Sequence, residues 1–296
     1  MSDKFIEYKC PCCGSHEIID KFPANNYRTK NADQVSYVRC KFCGSLYLNA
    51  RSITIDKNNN YDERYQHTYE KLIKKLKRKS YRFFACRIYG LLSGFSHIKF
   101  PREAVEGDEL LDIGCGIGLQ TKLLQKRGIQ ITGIDNSFQA VKFAREINDG
   151  ENFVCADFLD FNINNNKFGF IRLDNVIEHI EEPEHFFKRV SELLNPEGKL
   201  IIFTPNAYSA SIKLLRGKSV SAWADEHLII YSINGLVNLL ERMGFKIVKK
   251  NRNTPAWWLA YNFLMIIGVG NKVTADSFLL KIVGAFFLPV TLVLNF

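Results

Sequence analysis

The chain has 296 residues, of which 46% are hydrophobic, an ordinary share for a folded protein that excludes a disordered one. Its length allows one full α/β domain plus smaller modules. Lys and Arg outnumber Asp and Glu by 40 to 31, a formal net charge of +9, which favours anionic partners: a phosphorylated substrate, nucleic acid or an acidic membrane face. The first residues are charged and polar and lack the pattern of a secretory signal. The eight cysteines are therefore read in a reducing cytosol, as metal ligands rather than disulfides.

Residues 1–55 read as a metal-stapled module. Cys10 and Cys13 form one C-x-x-C pair, and Cys40 and Cys43 form another. Each pair is followed by glycine, which lets the turn aim backbone amides at the thiolates. Four thiolates at this spacing complete a tetrahedral Zn2+ shell and leave no coordination position open. The zinc is thus expected to be structural, and residues 36–39 and 45–48 to be short strands of a zinc ribbon. Cys12 stands outside the pattern as a spectator. The local charge is mixed, so nucleic acid is not an expected partner.

Residues 56–104 combine a polar linker with a basic amphipathic helix over about 64–92. Leu72, Ile73, Leu76, Phe83, Phe84 and Ile88 recur at helical spacing, and Lys71, Lys74, Lys75 and Arg78 hold the other face. Two readings stay open: a lid over the neighbouring site, or a helix lying on an anionic membrane surface.

Residues 105–250 alternate strand and helix patterns, as a doubly wound parallel sheet requires. The apolar run Glu109–Ile113 contains Asp112 and ends at Gly114, Gly116 and Gly118. This pattern predicts a buried strand turning into a helix with bare backbone at the turn. In a dinucleotide fingerprint the third glycine would come one residue later, so a pyrophosphate ligand is disfavoured. A second strand over 130–134 ends at Asp135, followed by Asn136, and an acid there can grip both hydroxyls of a ribose. A third strand, 153–156, ends at Asp157 and Phe158. A fourth, 167–176, carries Asp174 and runs into Ile177-Glu178-His179. The turn and strand of residues 193–206 and the stretch Asp225-Glu226-His227-Leu228 complete the pattern.

The ordered set Asp112-Ile113-Gly114-Cys115-Gly116-Ile117-Gly118, Asp135 and Asp157, with Glu178-His179 and Glu226-His227 behind it, resembles class I S-adenosylmethionine (SAM)-dependent methyltransferases. The resemblance covers residues 105–250 and is nearest the group containing ubiquinone-pathway and sugar methyltransferases. It implies a Rossmann-like sheet and SAM held by Asp112, Gly114, Gly116, Gly118, Asp135, Asn136, Asp157, Phe158 and Asp174. It further implies a histidine base, with His227 beside Glu226 the first choice and His179 the second. Asn175, Glu178, His179 and His227 could also be read as metal ligands, but asparagine is a weak one for a transition metal, and no catalytic metal is expected. The expected acceptor is a small-molecule or lipid-linked sugar. Alternatives are a nucleotide-linked sugar, a phenol or a quinone, and a non-catalytic zinc-ribbon adaptor.

Residues 251–296 hold two apolar stretches, one from Trp257 to Val269 and one from Phe278 to Leu294, the latter broken by Lys281 and Pro289. Each is short for a membrane span of ~20 residues. They read as an apolar helical tail that meets the membrane surface, lines a tunnel for a lipid chain, or packs as core helices. The expectation is a cytoplasmic protein with peripheral contact to the inner membrane face through 64–92 and 257–294.

Overall fold

The computed structural model describes residues 5–7, 9–24, 36–48, 50–52, 104–119, 121–125, 128–148, 152–161, 167–222, 227–252 and 256–266. The helix expected over 64–92, Glu226 and the apolar stretch 278–294 lie outside the described residues. In chain order come β1 (Phe5–Glu7), β2 (Ile18–Pro23), β3 (Ser36–Cys40), β4 (Leu46–Leu48), β5 (Ala50–Ser52), β6 (Glu109–Ile113) and α1 (Thr121–Gln125). There follow β7 (Gln130–Asp135), α2 (Phe138–Asn148), β8 (Phe153–Cys155), β9 (Phe168–Asp174) and a 3-10 turn, Ile177–His179. The described chain ends with α3 (Pro183–Leu193), β10 (Leu194–Phe203), α4 (Ala210–Leu215), β11 (Ile229–Ile230), α5 (Ile233–Arg242) and α6 (Ala256–Ile266).

The chain divides into two compact units that do not follow chain order. One gathers residues 1–57, 175–191 and 203–250; the other gathers 58–174, 192–202 and 251–296. The second holds a five-stranded sheet in the order β10-β9-β6-β7-β8. β6 pairs in parallel with β7 and with β9, and β7 with β8. Leu110, Leu111, Ile113 and Ile131 are buried, as expected of parallel strands covered on both faces. α2 starts at Ser137, whose hydroxyl accepts the Ala140 amide at 3.1 Å, and it buries Ala140, Val141, Ala144 and Ile147 on one stripe. β10 starts before Pro196 and includes it. It lies at the edge of the sheet order, where a missing amide is tolerated.

The first unit is organised by an antiparallel sheet in the order β11-β4-β3-β2. Phe22, Tyr37, Leu46 and Leu48 of the N-terminal strands share one core with Ala207, Ile212 and Ile230. The N-terminal module is thus completed by a strand almost two hundred residues downstream: Ile229 pairs with Tyr47 and Ile230 with Leu46. Residues 244–248 form no regular structure; there the Phe245 ring packs edge-on against Phe187 at 6.2 Å.

Candidate functional site

The glycine turn after β6 has the backbone its sequence demands. Gly114, Gly116 and Gly118 have φ of 68°, 53° and 67°, a region that side chains disfavour. At Gly118 a Cβ would also run into the Asn148 amide group and lie 3.1 Å from the Ala144 methyl, so this position sets how closely α2 approaches the turn. Asp135, at the end of β7, is buried; one carboxylate oxygen accepts the Gly116 amide at 2.9 Å and the other the Ser137 amide at 2.9 Å. Each oxygen has a second lone pair for a ligand hydroxyl. Asn136 is exposed. Asp157 is exposed and accepts the Leu159 amide at 2.9 Å, whereas Phe158 is buried.

Beneath the turn lies a buried charge network that was not foreseen from the sequence. The Arg172 guanidinium meets both oxygens of Asp112 at 2.9 and 3.0 Å and one oxygen of Asp174 at 2.6 Å. The Thr121 hydroxyl donates to Asp112 at 2.9 Å. Burial pushes the Asp112 carboxyl above its usual range, and Arg172 draws it back down. Asp112, expected to bind the cofactor, is only 1% exposed and spends its carboxylate on Arg172 and Thr121. It shapes the turn from below.

In the other unit, two groups of metal-ligating side chains come together. Cys10, Cys13, Cys40 and Cys43 place their sulfurs within 4.8 Å of one another. Cys10 and Cys43 stand 3.5 Å apart, and Cys13 and Cys40 3.4 Å. Tetrahedral Zn–S bonds of about 2.3 Å would separate the sulfurs by about 3.8 Å, so the cysteines fit a zinc ion. Hydrogen bonds from Cys10 and Cys12 hold the Cys43 thiol far below its usual pKa, while burial raises Cys13 to about 11. Cys12 is fully buried beside them.

The second group is Glu178, His179 and His227, each offering one ligand atom within 4.8 Å of the other two. Asn175 adopts a left-handed φ of 56° directly after β9, a conformation asparagine tolerates better than most residues, and the chain then enters the 3-10 turn bearing Glu178 and His179. The Leu228 amide donates to the Glu178 carbonyl at 2.8 Å, which ties the two segments together. The imidazoles of His179 and His227 lie edge-on, 5.0 Å apart. His227 Nδ1 sits 2.9 Å from the Ser221 carbonyl oxygen. A carbonyl only accepts, so Nδ1 carries a proton, and in the neutral ring the lone pair is then on Nε2. The Thr204 hydroxyl donates to Glu178 Oε2 at 2.9 Å. Ser221 lies in a stretch with no motif, and Thr204, at the end of the 193–206 turn and strand, has no role that the sequence announces; only the fold brings them to His227 and Glu178.

A family profile described as a methyltransferase domain matches residues 58–250, more than half of the chain. The chain belongs to this methyltransferase family. Among curated proteins it is similar to a ubiquinone biosynthesis O-methyltransferase of Coxiella burnetii, 30% identical over 106 residues, which are 34% of this chain and 45% of that protein. It is also similar to the mitochondrial ubiquinone biosynthesis O-methyltransferase of Arabidopsis thaliana, 32% identical over 128 residues, 40% of each chain. The matched segments thus span less than half the length of these two relatives. Among solved structures it resembles phosphoethanolamine N-methyltransferase 2 of Haemonchus contortus, with a TM-score of 0.50, 17% identity and coverage of 84% of this chain and 60% of that one; this supports the fold.

The chain carries a methyltransferase domain, and its own turn fits a SAM donor: bare glycine backbone at Gly114–Gly118 and a buried carboxylate at Asp135. Of the residues expected to hold SAM, the glycines, Asp135, Asn136, Asp157, Phe158 and Asp174 all belong to the unit that carries the sheet. His179 and His227, the two candidate bases, come together, joined by Glu178. Among the described residues, no helix of the methyltransferase is long and apolar enough to cross a membrane.

Proposed function

We propose that the chain is an O-methyltransferase acting on a phenolic or quinol-type hydroxyl, with a structural zinc ion in its Cys10-Cys13-Cys40-Cys43 module. The observation that carries this reading is the convergent Glu178–His179–His227 group in a chain whose curated relatives are named for ubiquinone O-methylation. These names support a phenolic acceptor over the sugar-linked one expected from the sequence.

SAM supplies an electrophilic methyl on a sulfonium centre. The chain's own residues have two tasks: to hold the donor's polar groups and to make the acceptor oxygen nucleophilic. Asp135 takes the ribose hydroxyls, and the glycine turn admits the donor close to the backbone. Asp157 and Phe158 serve the adenine, one by hydrogen bonding and one by apolar contact. Glu178, His179 and His227 act on the acceptor, lowering the cost of removing its hydroxyl proton. α6 suits a lipophilic acceptor or peripheral contact with a lipid surface: Phe263 and Ile266 are 42% and 62% exposed on an otherwise apolar helix.

Mass spectrometry after incubation with labelled SAM tests the reading. A panel of catechols, quinols, nucleotide sugars and glycolipids is expected to yield one added methyl on the catechol or quinol. A methylated sugar with untouched phenols would overturn the acceptor class.

A further inference from the structure

Given a SAM site at the glycine turn and Asp135, we infer that Asp174, held in place by Arg172, gives that site its preference for the charged sulfonium donor over the neutral thioether product, S-adenosylhomocysteine. Asp174 is then the residue that discriminates, and Arg172 is a positioning residue that acts through it.

Charge is the first observation. Two carboxylates, those of Asp112 and Asp174, share the Arg172 guanidinium. Arg172 and the Thr121 hydroxyl donate to the two Asp112 oxygens, the pattern that an ionised carboxylate accepts. Asp112 and Arg172 therefore cancel, and the formal charge of the three side chains is the single negative charge of Asp174. The Asp112–Arg172 pair already joins β6 to β9, so the strands do not require the third member.

Position is the second. Leu173 pairs with Ile113, which sets Asp174, the last residue of β9, level with Gly114, the first glycine of the turn. Ligands of parallel sheets bind outside the carboxyl ends of the strands, and Asp174 stands at such an end. Its side chain is 8% exposed, against 1% for Asp112, so it is the outer of the two acids. Sheet order is the third. β6 lies between β9 and β7, and β8 follows β7. Asp135 ends β7 and Asp157 follows β8, so both acids assigned to the nucleoside lie on one side of β6. The sulfonium joins the ribose through one carbon, on the side away from the base. The strand left for it is β9, about 10 Å from β7.

A carboxylate at that end attracts a sulfonium and has no such hold on a thioether. The two ligands share the same ammonium, carboxylate, ribose and base, and they differ by one positive charge. Arg172 secures the effect. Its contact with Asp174 at 2.6 Å keeps that acid ionised, where two neighbouring buried carboxylates without a cation would share a proton.

The test measures by calorimetry the affinities of the full chain for SAM and for S-adenosylhomocysteine, in wild type, Asp174→Asn, Asp174→Glu and Arg172→Lys. Asp174→Asn leaves the Asp112–Arg172 pair in place and should lower the ratio of the two affinities, SAM over product, by about fivefold or more. Asp174→Glu keeps the charge and should hold the ratio within about twofold of wild type. Arg172→Lys keeps the formal charge but, with one ammonium in place of a planar fork, cannot grip both acids; it should lower the ratio by less than Asp174→Asn does. Equal losses of both ligands in Asp174→Asn, with the wild-type ratio kept, would overturn the inference, as would a ratio that falls as far in Asp174→Glu. A wild-type ratio in Arg172→Lys would overturn the role of Arg172. Binding of neither ligand to wild type would instead overturn the SAM site itself.

Discussion

Arg172 stands in the middle of a buried strand with a carboxylate on either side. Parallel register sets Asp112 opposite Arg172, and the two-residue strand period puts Asp174 on the same face. A buried ion pair costs desolvation that its own attraction barely offsets, but removing one partner leaves a bare charge. Arg172→Met is therefore expected to lose about 3–5 kcal/mol of stability at neutral pH. The pH dependence has a definite sign. Without the guanidinium, burial lifts the Asp112 carboxyl further above its unfolded value, so the folded state retains a proton that the unfolded chain gives up. Stability of the variant then falls as pH rises through that window. Denaturant melts should show a smaller gap to wild type at pH 5 than at pH 8. An equal gap at both would mean that Asp112 does not stay protonated in the variant. The sequence held a signal for this network, one arginine in an otherwise apolar strand followed two places later by an acid, but it acquires meaning only once the strand lies beside β6.

The cysteine module acts beyond its own fold. The Ser232 hydroxyl donates to the Cys43 carbonyl and accepts the Gly235 amide at 2.8 Å, while the Ser232 amide donates to Ser45 at 3.0 Å. Ser232 is thus both the N-cap of α5 and a strut on the second knuckle. The Tyr37 hydroxyl donates to the His227 carbonyl, and the Leu48 amide donates to the Leu228 carbonyl at 3.1 Å. β3 and β4 therefore hold the segment that presents His227. Removing zinc by chelation, or replacing Cys40 by serine, should cost several kcal/mol because metal binding is folding energy in such modules. At about 2–4 °C per kcal/mol for a chain of this size, the melting temperature should drop by about 10 °C. Hydrogen exchange at the Gly235 and Leu48 amides should rise with it. An unchanged melting curve in the metal-stripped protein would show that the ribbon stands without zinc.

At the scale of the whole molecule, what was legible in the sequence was whatever depends on local rules. Gly114, Gly116 and Gly118 announced a turn because only glycine takes their φ cheaply. The strand end at Asp135 followed from an apolar run that stops at an acid, and the paired C-x-x-C turns announced that their four sulfurs converge. What was not legible depends on pairing across the chain. β11 is two residues long and has no periodicity to find, yet it completes the ribbon sheet. Ser221 and Thr204 matter only because the backbone brings them to His227 and Glu178. The Arg172 and Thr121 partners of Asp112 were equally hidden, because motif spacing does not reveal which way a carboxylate turns. The stretch 244–248 had a strand's composition but pairs with nothing among the described residues.

The central claim is that the glycine turn and Asp135 bind SAM. Isothermal titration of the full chain with SAM, compared with Asp135→Ala, tests it most directly. Wild type is expected to bind one SAM per chain. Losing hydrogen bonds from a buried carboxylate to the ribose hydroxyls, about 1.5–3 kcal/mol, should weaken the variant by about tenfold or more. Equal affinity in the two proteins, or no heat from wild type with either SAM or S-adenosylhomocysteine, would contradict the account.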